Sequence, residues 1–153
     1  AIPLYKQLEL LKRNLTAVAT AITAGVIGSV VSVYVMSMIF RLEHVHYVSL
    51  LPKSITTAIG MGVSEEAGGI VTMTIVSIII TGILGNVIAD TVFHIFKIKN
   101  PLAKGLALGT ASHAIGTARA IEMGPVEGAM SSLAVAVAGL LTVVFVSGFA
   151  QLI

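Results

Sequence analysis

The chain has 153 residues, of which 56% are hydrophobic and only 10% charged, with a mean hydropathy of +1.02. A soluble domain carries about a quarter charged residues, so this composition excludes one and specifies an integral membrane protein. The net charge of +2 comes without any basic patch interleaved with aromatics, which excludes nucleic acid as a partner, and the lack of cysteine excludes disulfides, thiolate catalysis and sulfur-ligated metal.

The charged residues are clustered and leave three uncharged runs, Asn14 to Phe40, Ala67 to Ala89 and Gly128 to Ile153. Each exceeds the roughly 20 residues that a transmembrane helix requires, so the lipid bilayer is the first partner. The chain begins Ala1-Ile2-Pro3 with no signal-peptide layout, which reads as the later part of a longer protein.

Pro3 to Arg13 is an amphipathic lead-in, with Leu4, Leu8 and Leu11 at helical spacing and Lys6, Lys12 and Arg13 available to a lipid surface. A first transmembrane helix is predicted over Leu15 to Phe40, with Asn14 as its cap and Gly25, Gly28, Ser29 and Ser32 as a small face for close packing. Arg41 to Tyr47 is expected to be an interfacial connection.

The next stretch, LLPKSITTAIGMGVSEEAGG at 50–69, contains a proline, Lys53, the hydroxyls of Ser54, Thr56 and Thr57, several glycines, and the adjacent carboxylates Glu65 and Glu66. It cannot be an ordinary lipid-facing helix. A second helix is predicted over Ile70 to Phe96, apolar until Asn86, Asp90 and His94, which share one helical stripe and read as an interfacial face near Lys97. PLAKGLALGTASHAIGTARAIEMG at 101–124 repeats the character of 50–69, and a third helix opens at Pro125, a favoured first helical position.

The region beyond residue 50 thus contains two units of one design, 50–96 and 101–150, each a broken polar segment followed by an apolar helix. Charge counting bears on their topology. If both broken segments turn back, Lys6, Lys12, Arg13, Lys97, Lys99, Lys104 and Arg119 share one side, seven, against Arg41 and Lys53, two. Full crossing gives four against five, so the positive-inside rule favours re-entry. The fold class is then all-α and polytopic: about three full transmembrane helices plus two broken, re-entrant polar helical segments, arranged as an inverted repeat with binding near the midplane.

Non-helical chain inside hydrocarbon survives only where it is buried in protein or faces a water-filled cavity. In GTASHAIGTAR, 109–119, Thr110, Ser112 and Thr117 supply hydroxyls and Arg119 a bidentate donor for a carboxylate. His113 has two readings: a neutral, hydrogen-bonded packing residue, or a group that switches charge near neutrality as proton coupling requires. Arg119 either anchors the interface, with Glu122 as its i, i+3 partner, or meets a ligand. The expected substrate-binding set is Lys53, Ser54, Thr56, Thr57, Thr110, Ser112, His113, Thr117 and Arg119, with His113, Glu65, Glu66 and Glu122 as proton-coupling candidates. No metal-ligand spacing, nucleophile–base pair or phosphate loop occurs, so the sequence is not read as an enzyme and no cofactor or metal is expected.

LPKSITTAI (51–59), SEEAGG (64–69), PLAKGLALGTASHAIGTARAIEMGPVEGAMSSLAV (101–135) and AGLLT (138–142) closely resemble the LrgB/CidB membrane protein family. The resemblance runs from Pro3-Leu4-Tyr5 onward, covers about the last two-thirds of the family's domain, and places residues 1–153 in a single LrgB-like membrane domain. It implies a multi-pass protein of the bacterial cell membrane and two functional descriptions: holin/antiholin-like regulation of murein hydrolase export and lysis, or, by way of a plastid glycolate/glycerate translocator, carriage of small carboxylates. The hydroxyls, histidine and arginine of the broken segments favour the second, a proton-coupled secondary transporter of small monocarboxylates such as glycolate, glycerate or pyruvate. A small LrgA/CidA-like membrane partner is implied by the resemblance. Gly105-x-x-x-Gly109 and Gly124-x-x-x-Gly128 permit close helix contacts, either in a homodimer or within the chain.

Overall fold

A computed structural model describes residues 7–153. The expected lead-in over Pro3 to Arg13 therefore lies partly outside the described residues; its described part is a short helix, α1 (Leu8–Arg13). Six more helices follow: α2 (Leu15–Phe40), α3 (His44–Leu50), α4 (Thr57–Glu66), α5 (Val71–Ile95), α6 (Pro101–Met123) and α7 (Pro125–Phe149). No strand occurs among the described residues.

Helices α2, α5 and α7 are long and apolar enough to cross a membrane, at 26, 25 and 25 residues. At 1.5 Å per residue each exceeds the ~30 Å hydrocarbon core. Their outward faces carry Val35, Met38 and Ile39 on α2, Ile80, Ile83 and Val87 on α5, and Leu140 and Val144 on α7, all exposed. In water such a surface would aggregate; in a bilayer it is the lipid contact. The inward faces form three cores, one around Ile22, Leu106, Met130 and Ala134, a second around Val30, Tyr47, Leu51 and Val146, and a third where Ala89 and Phe93 of α5 meet Leu108 and Ala120.

Two local expectations are corrected. Asn14 holds the N-cap position of α2, its carbonyl accepting from the Val18 amide at 2.9 Å, but its side chain does not cap: Nδ2 donates back to the Leu10 carbonyl at 2.9 Å, because the chain before it is already helical in α1. The connection expected over Arg41 to Tyr47 is only the three residues 41–43, since α3 begins at His44. Arg41 takes a left-handed conformation, φ 51, and the amide of Leu42 returns to the Ser37 carbonyl at 3.0 Å, which satisfies the end of α2 and turns the chain sharply.

Both polar segments are hairpins that turn back. The first comprises α3, the link 51–56 and α4. It enters beside the end of α7, where the Tyr47 hydroxyl donates to the Phe149 carbonyl at 2.8 Å. Its link reaches the middle of α2, where Ser29 Oγ donates to Ser54 Oγ at 2.9 Å. It leaves by the end at which it entered, with Glu66 and His44 lining one cavity alongside Gln151.

The second hairpin is α6, and it enters from the opposite end. The backbone breaks at His113, where φ 42 and ψ −132 depart from any helix. On the entering limb, a Cβ on Gly105 would stand 2.4 Å from the Glu127 carbonyl oxygen, and one on Gly109 2.5 Å from that of Ser131. On the returning limb Ile121 packs against Gly128, and Arg119 meets Asp90 of α5, so Pro101 and Met123 lie at the same end. The small-residue motifs, open in the sequence to a dimer contact or an internal one, are therefore consumed within the chain: they bring the α6 hairpin into van der Waals contact with α7.

Because both segments re-enter, the positive residues separate along the bundle. Lys97, Lys99 and Arg119 sit at one end together with Lys12 and Arg13, whose neighbour Leu11 packs into the same core as Leu102 and Val126. Arg41 closes the opposite end of α2. Lys53 lies between, at the middle of the bundle.

Candidate functional site

The tips of the two hairpins converge on the middle of α5 around Ile78. From the first, a Cβ on Gly60 would stand 2.5 Å from Ile78 Cδ1. From the second, His113 Nε2 lies 2.9 Å from the Ile78 carbonyl oxygen. Beside them, a groove of about 540 Å³ opens between α2, α5 and the entering limb of α6. Lys53 and Ser54 of the first tip and Thr110 and Ser112 of the second both reach it, across from Ser29, Ser32 and Gly85. Gly85 is required there: a Cβ would fall 1.7 Å from Ser112 Oγ.

Three of the groove's polar side chains, Ser29, Lys53 and Ser54, bond one another. Lys53 Nζ donates to Ser54 Oγ at 3.2 Å and to Ser29 Oγ at 3.4 Å. Thr110 Oγ1 donates to the Leu106 carbonyl of its own helix at 2.8 Å. No carboxylate pairs with Lys53 among the described residues.

The remaining candidate residues lie elsewhere. Thr56 and Thr57 are half-buried at the start of α4 and make no side-chain cap. His113 is buried away from the groove; a carbonyl only accepts, so its Nε2 carries the proton and donates to Ile78. Thr117 Oγ1 donates to the His113 carbonyl at 2.9 Å and shares a bond with Ser131 Oγ at 2.8 Å, which staples the break to α7. Arg119 binds Glu122 Oε2 at 2.7 Å and also Asp90. Glu65 and Glu66 are exposed at the end of α4.

Sequence reading missed several of the groups that hold this arrangement. Thr74 Oγ1, fully buried, bridges the Ser49 carbonyl oxygen at 2.8 Å and Ser64 Oγ at 2.7 Å, and the Ile70 amide donates to Ser49 Oγ at 2.7 Å. These bonds tie both limbs of the first hairpin to α5. The stripe read as an interfacial face does lie toward the end of the bundle, where Asp90 and His94 line a cavity with Lys97, and it has a second duty: Asn86 Nδ2 reaches the Ile115 carbonyl at 3.5 Å and Asp90 takes Arg119, so two of its members dock the returning limb of α6. Its period of four was the available signal; the partner, 29 residues on, was not. Glu127, buried in the first turn of α7, was also passed over.

Three apolar helices, two polar hairpins entering from opposite ends, and a groove where the hairpin tips meet define a multi-pass α-helical membrane protein. Comparison with known proteins supplies the family. The LrgB-like family model matches residues 1–152, and the chain belongs to that family. It is 44% identical over 149 residues to the antiholin-like protein LrgB of Bacillus mycoides (strain KBAB4), covering 97% of this chain and 65% of that protein. It is 43% identical over 153 residues to the antiholin-like protein LrgB of Bacillus subtilis (strain 168), covering 100% of this chain and 66% of that one. The chain thus spans just under two-thirds of the length of these relatives. No solved structure matches it.

These relatives correct the expectation of a small-monocarboxylate transporter. They carry the antiholin-like description, and nothing in the comparisons supports carboxylate carriage. Inferring a carrier from residue types went astray for a physical reason. Arg119 is occupied by two carboxylates and the His113 ring by a main-chain carbonyl, so groups that look like ligand contacts in the sequence are bonded within the fold.

Proposed function

We propose that this protein is an antiholin-like membrane protein that restrains membrane lesions and, through them, murein hydrolase export and lysis. The observation that carries the reading is the identity of 43–44% along the chain to proteins described as antiholin-like. A restraining protein must enter the membrane without itself opening a pathway through it. The hairpin tips turn back on Ile78 instead of crossing, and the bonds of Thr74 and Thr117 hold them there, which suits that role. Its partner on this reading is a small LrgA/CidA-like membrane protein, met through the lipid-facing sides of α2, α5 and α7. Residues 50–96 and 101–150 act as two units of one membrane domain, related by inversion, each a hairpin with the helix that follows it.

The test is lysis timing in a bacterium that expresses a holin-like protein from an inducible promoter, with and without this protein co-expressed. Turbidity and release of a cytoplasmic enzyme are followed. Delayed lysis is expected. Unchanged or earlier lysis would remove the antiholin-like reading.

A further inference from the structure

At the end of the bundle where α5 passes into α6, a cavity of about 560 Å³ is lined by Lys97, Lys99 and Lys104 together with His94, Phe93 and Asp90. The one carboxylate on its wall, Asp90, is already bound by Arg119, and none of the three ammonium groups has a carboxylate partner among the described residues. The lysines are not scattered along a loose loop. Lys97 is held at φ 53, and the turn is closed by the Ile98 amide donating to the Phe93 carbonyl at 2.8 Å. Lys104 is half-buried, its Nζ 5.7 Å from the centre of the Phe93 ring.

Phe93 also forms the upper wall of a second, mainly apolar cavity of about 150 Å³ between α5 and the entering limb of α6, along Ile88, Val92, Leu108 and Ala111 down to Gly85 and Ser112, which it shares with the groove of the hairpin tips. Gly85 lies eight positions before Phe93 on the same helix. At 1.5 Å per residue that is roughly 12 Å, close to the ~15 Å hydrocarbon depth of one leaflet. Positive-inside topology accounts for lysines at this end, but not for a cationic pocket that shares the Phe93 wall with a groove of leaflet depth.

We propose that this pocket and groove bind one anionic phospholipid, its headgroup phosphate on Lys97, Lys99 and Lys104 and one acyl chain lying between α5 and α6. The charge of the pocket selects an anionic headgroup over a zwitterionic one, and the groove selects a lipid over a free phosphate.

The protein, purified and exchanged into mixed micelles containing equal amounts of phosphatidylglycerol and phosphatidylcholine, is released for native mass spectrometry. Retention of phosphatidylglycerol over phosphatidylcholine is expected on the order of tenfold. That preference is expected to collapse in a Lys97→Gln, Lys99→Gln, Lys104→Gln variant and to persist when the same three are changed to Arg. Ala111→Phe, which blocks the groove and leaves the charges, is expected to weaken retention of both lipids. Far-ultraviolet circular dichroism and thermal unfolding confirm that each variant folds, and the unmodified protein alone decides the outcome if one does not. Equal retention of the two lipids by the unmodified protein overturns the proposal, as does an undiminished preference in a folded triple Gln variant. Displacement of phosphatidylglycerol by millimolar inorganic phosphate alone also overturns it, since the headgroup would then be the whole of the site.

Discussion

His113 Nε2 donates to the Ile78 carbonyl across 2.9 Å from a residue whose own backbone stands at φ 42. The bond joins the break in α6 to the middle of α5 at a place where an L-residue is conformationally unfavourable, a state that persists only when the surroundings over-determine it. His113→Ala, which loses the bond and keeps the strain, is expected to destabilise the protein by about 1–3 kcal/mol. His113→Gly, free to adopt positive φ, is expected to cost less, by on the order of 1 kcal/mol. Chemical unfolding in a mild detergent measures both, and a glycine variant less stable than the alanine variant would show that the break stores no strain.

Gly105 and Gly109 face main-chain atoms of α7 rather than flexible side-chain ends. Alanine at either position must push the hairpin off α7, at about 1–3 kcal/mol each. A Cβ on Gly28 would meet nothing within 4 Å, so Gly28→Ala serves as the helix control. Thermal unfolding should separate the two classes. Equal tolerance of all three would mean that the α6–α7 contact is looser than this geometry.

Thr74 is fully buried and bridges Ser49 and Ser64. Thr74→Val preserves shape and removes the bonds, and is expected to cost about 1–3 kcal/mol because Ser64 is left buried without that partner. Thr23→Val serves as the control: that hydroxyl is exposed and bonds only its own helix at the Ala19 carbonyl, so little loss is expected. Proteolysis across 50–69 offers a local readout; if Thr74→Val leaves this segment as resistant as before, the network does not hold the first hairpin.

The re-entrant geometry places His44 and Glu66 at one end of the bundle, and Lys99 and Glu122 at the other. Single cysteines introduced at these positions in the cysteine-free chain are expected to label in pairs with an impermeant reagent, 44 with 66 from outside and 99 with 122 from the cytoplasmic face. Labelling of 44 and 66 from opposite sides would mean that the first segment crosses.

Arg119 lies between Asp90 and Glu122, all three partly or largely exposed. Arg119→Gln brings two carboxylates together with no cation between them, and is expected to loosen the returning limb of α6. Adding Asp90→Asn should restore it, more so at low salt, because exposed pairs are screened. Hydrogen exchange over 114–123 reports the limb. Equal protection in Arg119→Gln and in the unmodified protein would make the ion pair incidental.

By itself the sequence determined the membrane class, the places of the three apolar helices, though the third ends at Phe149 and not at the terminus, and the presence of two polar segments that turn back. Each of these follows from local quantities, the length of uncharged runs, the density of glycine and hydroxyl, and the count of lysine and arginine on either side. Pro125 and the i, i+3 pair of Arg119 with Glu122 were legible for the same reason, being decided within one helical turn. Which polar groups remain available was decided only by tertiary structure, because it depends on partners far along the chain. Thr74 bridges residues 25 and 10 positions away, His113 donates to a carbonyl 35 away, and Arg119 meets Asp90 across 29. Inside a bilayer, where no water is supplied, the fold satisfies most of its buried polar groups from within, so a histidine that stands out in the sequence is first a candidate to hold the hairpins together.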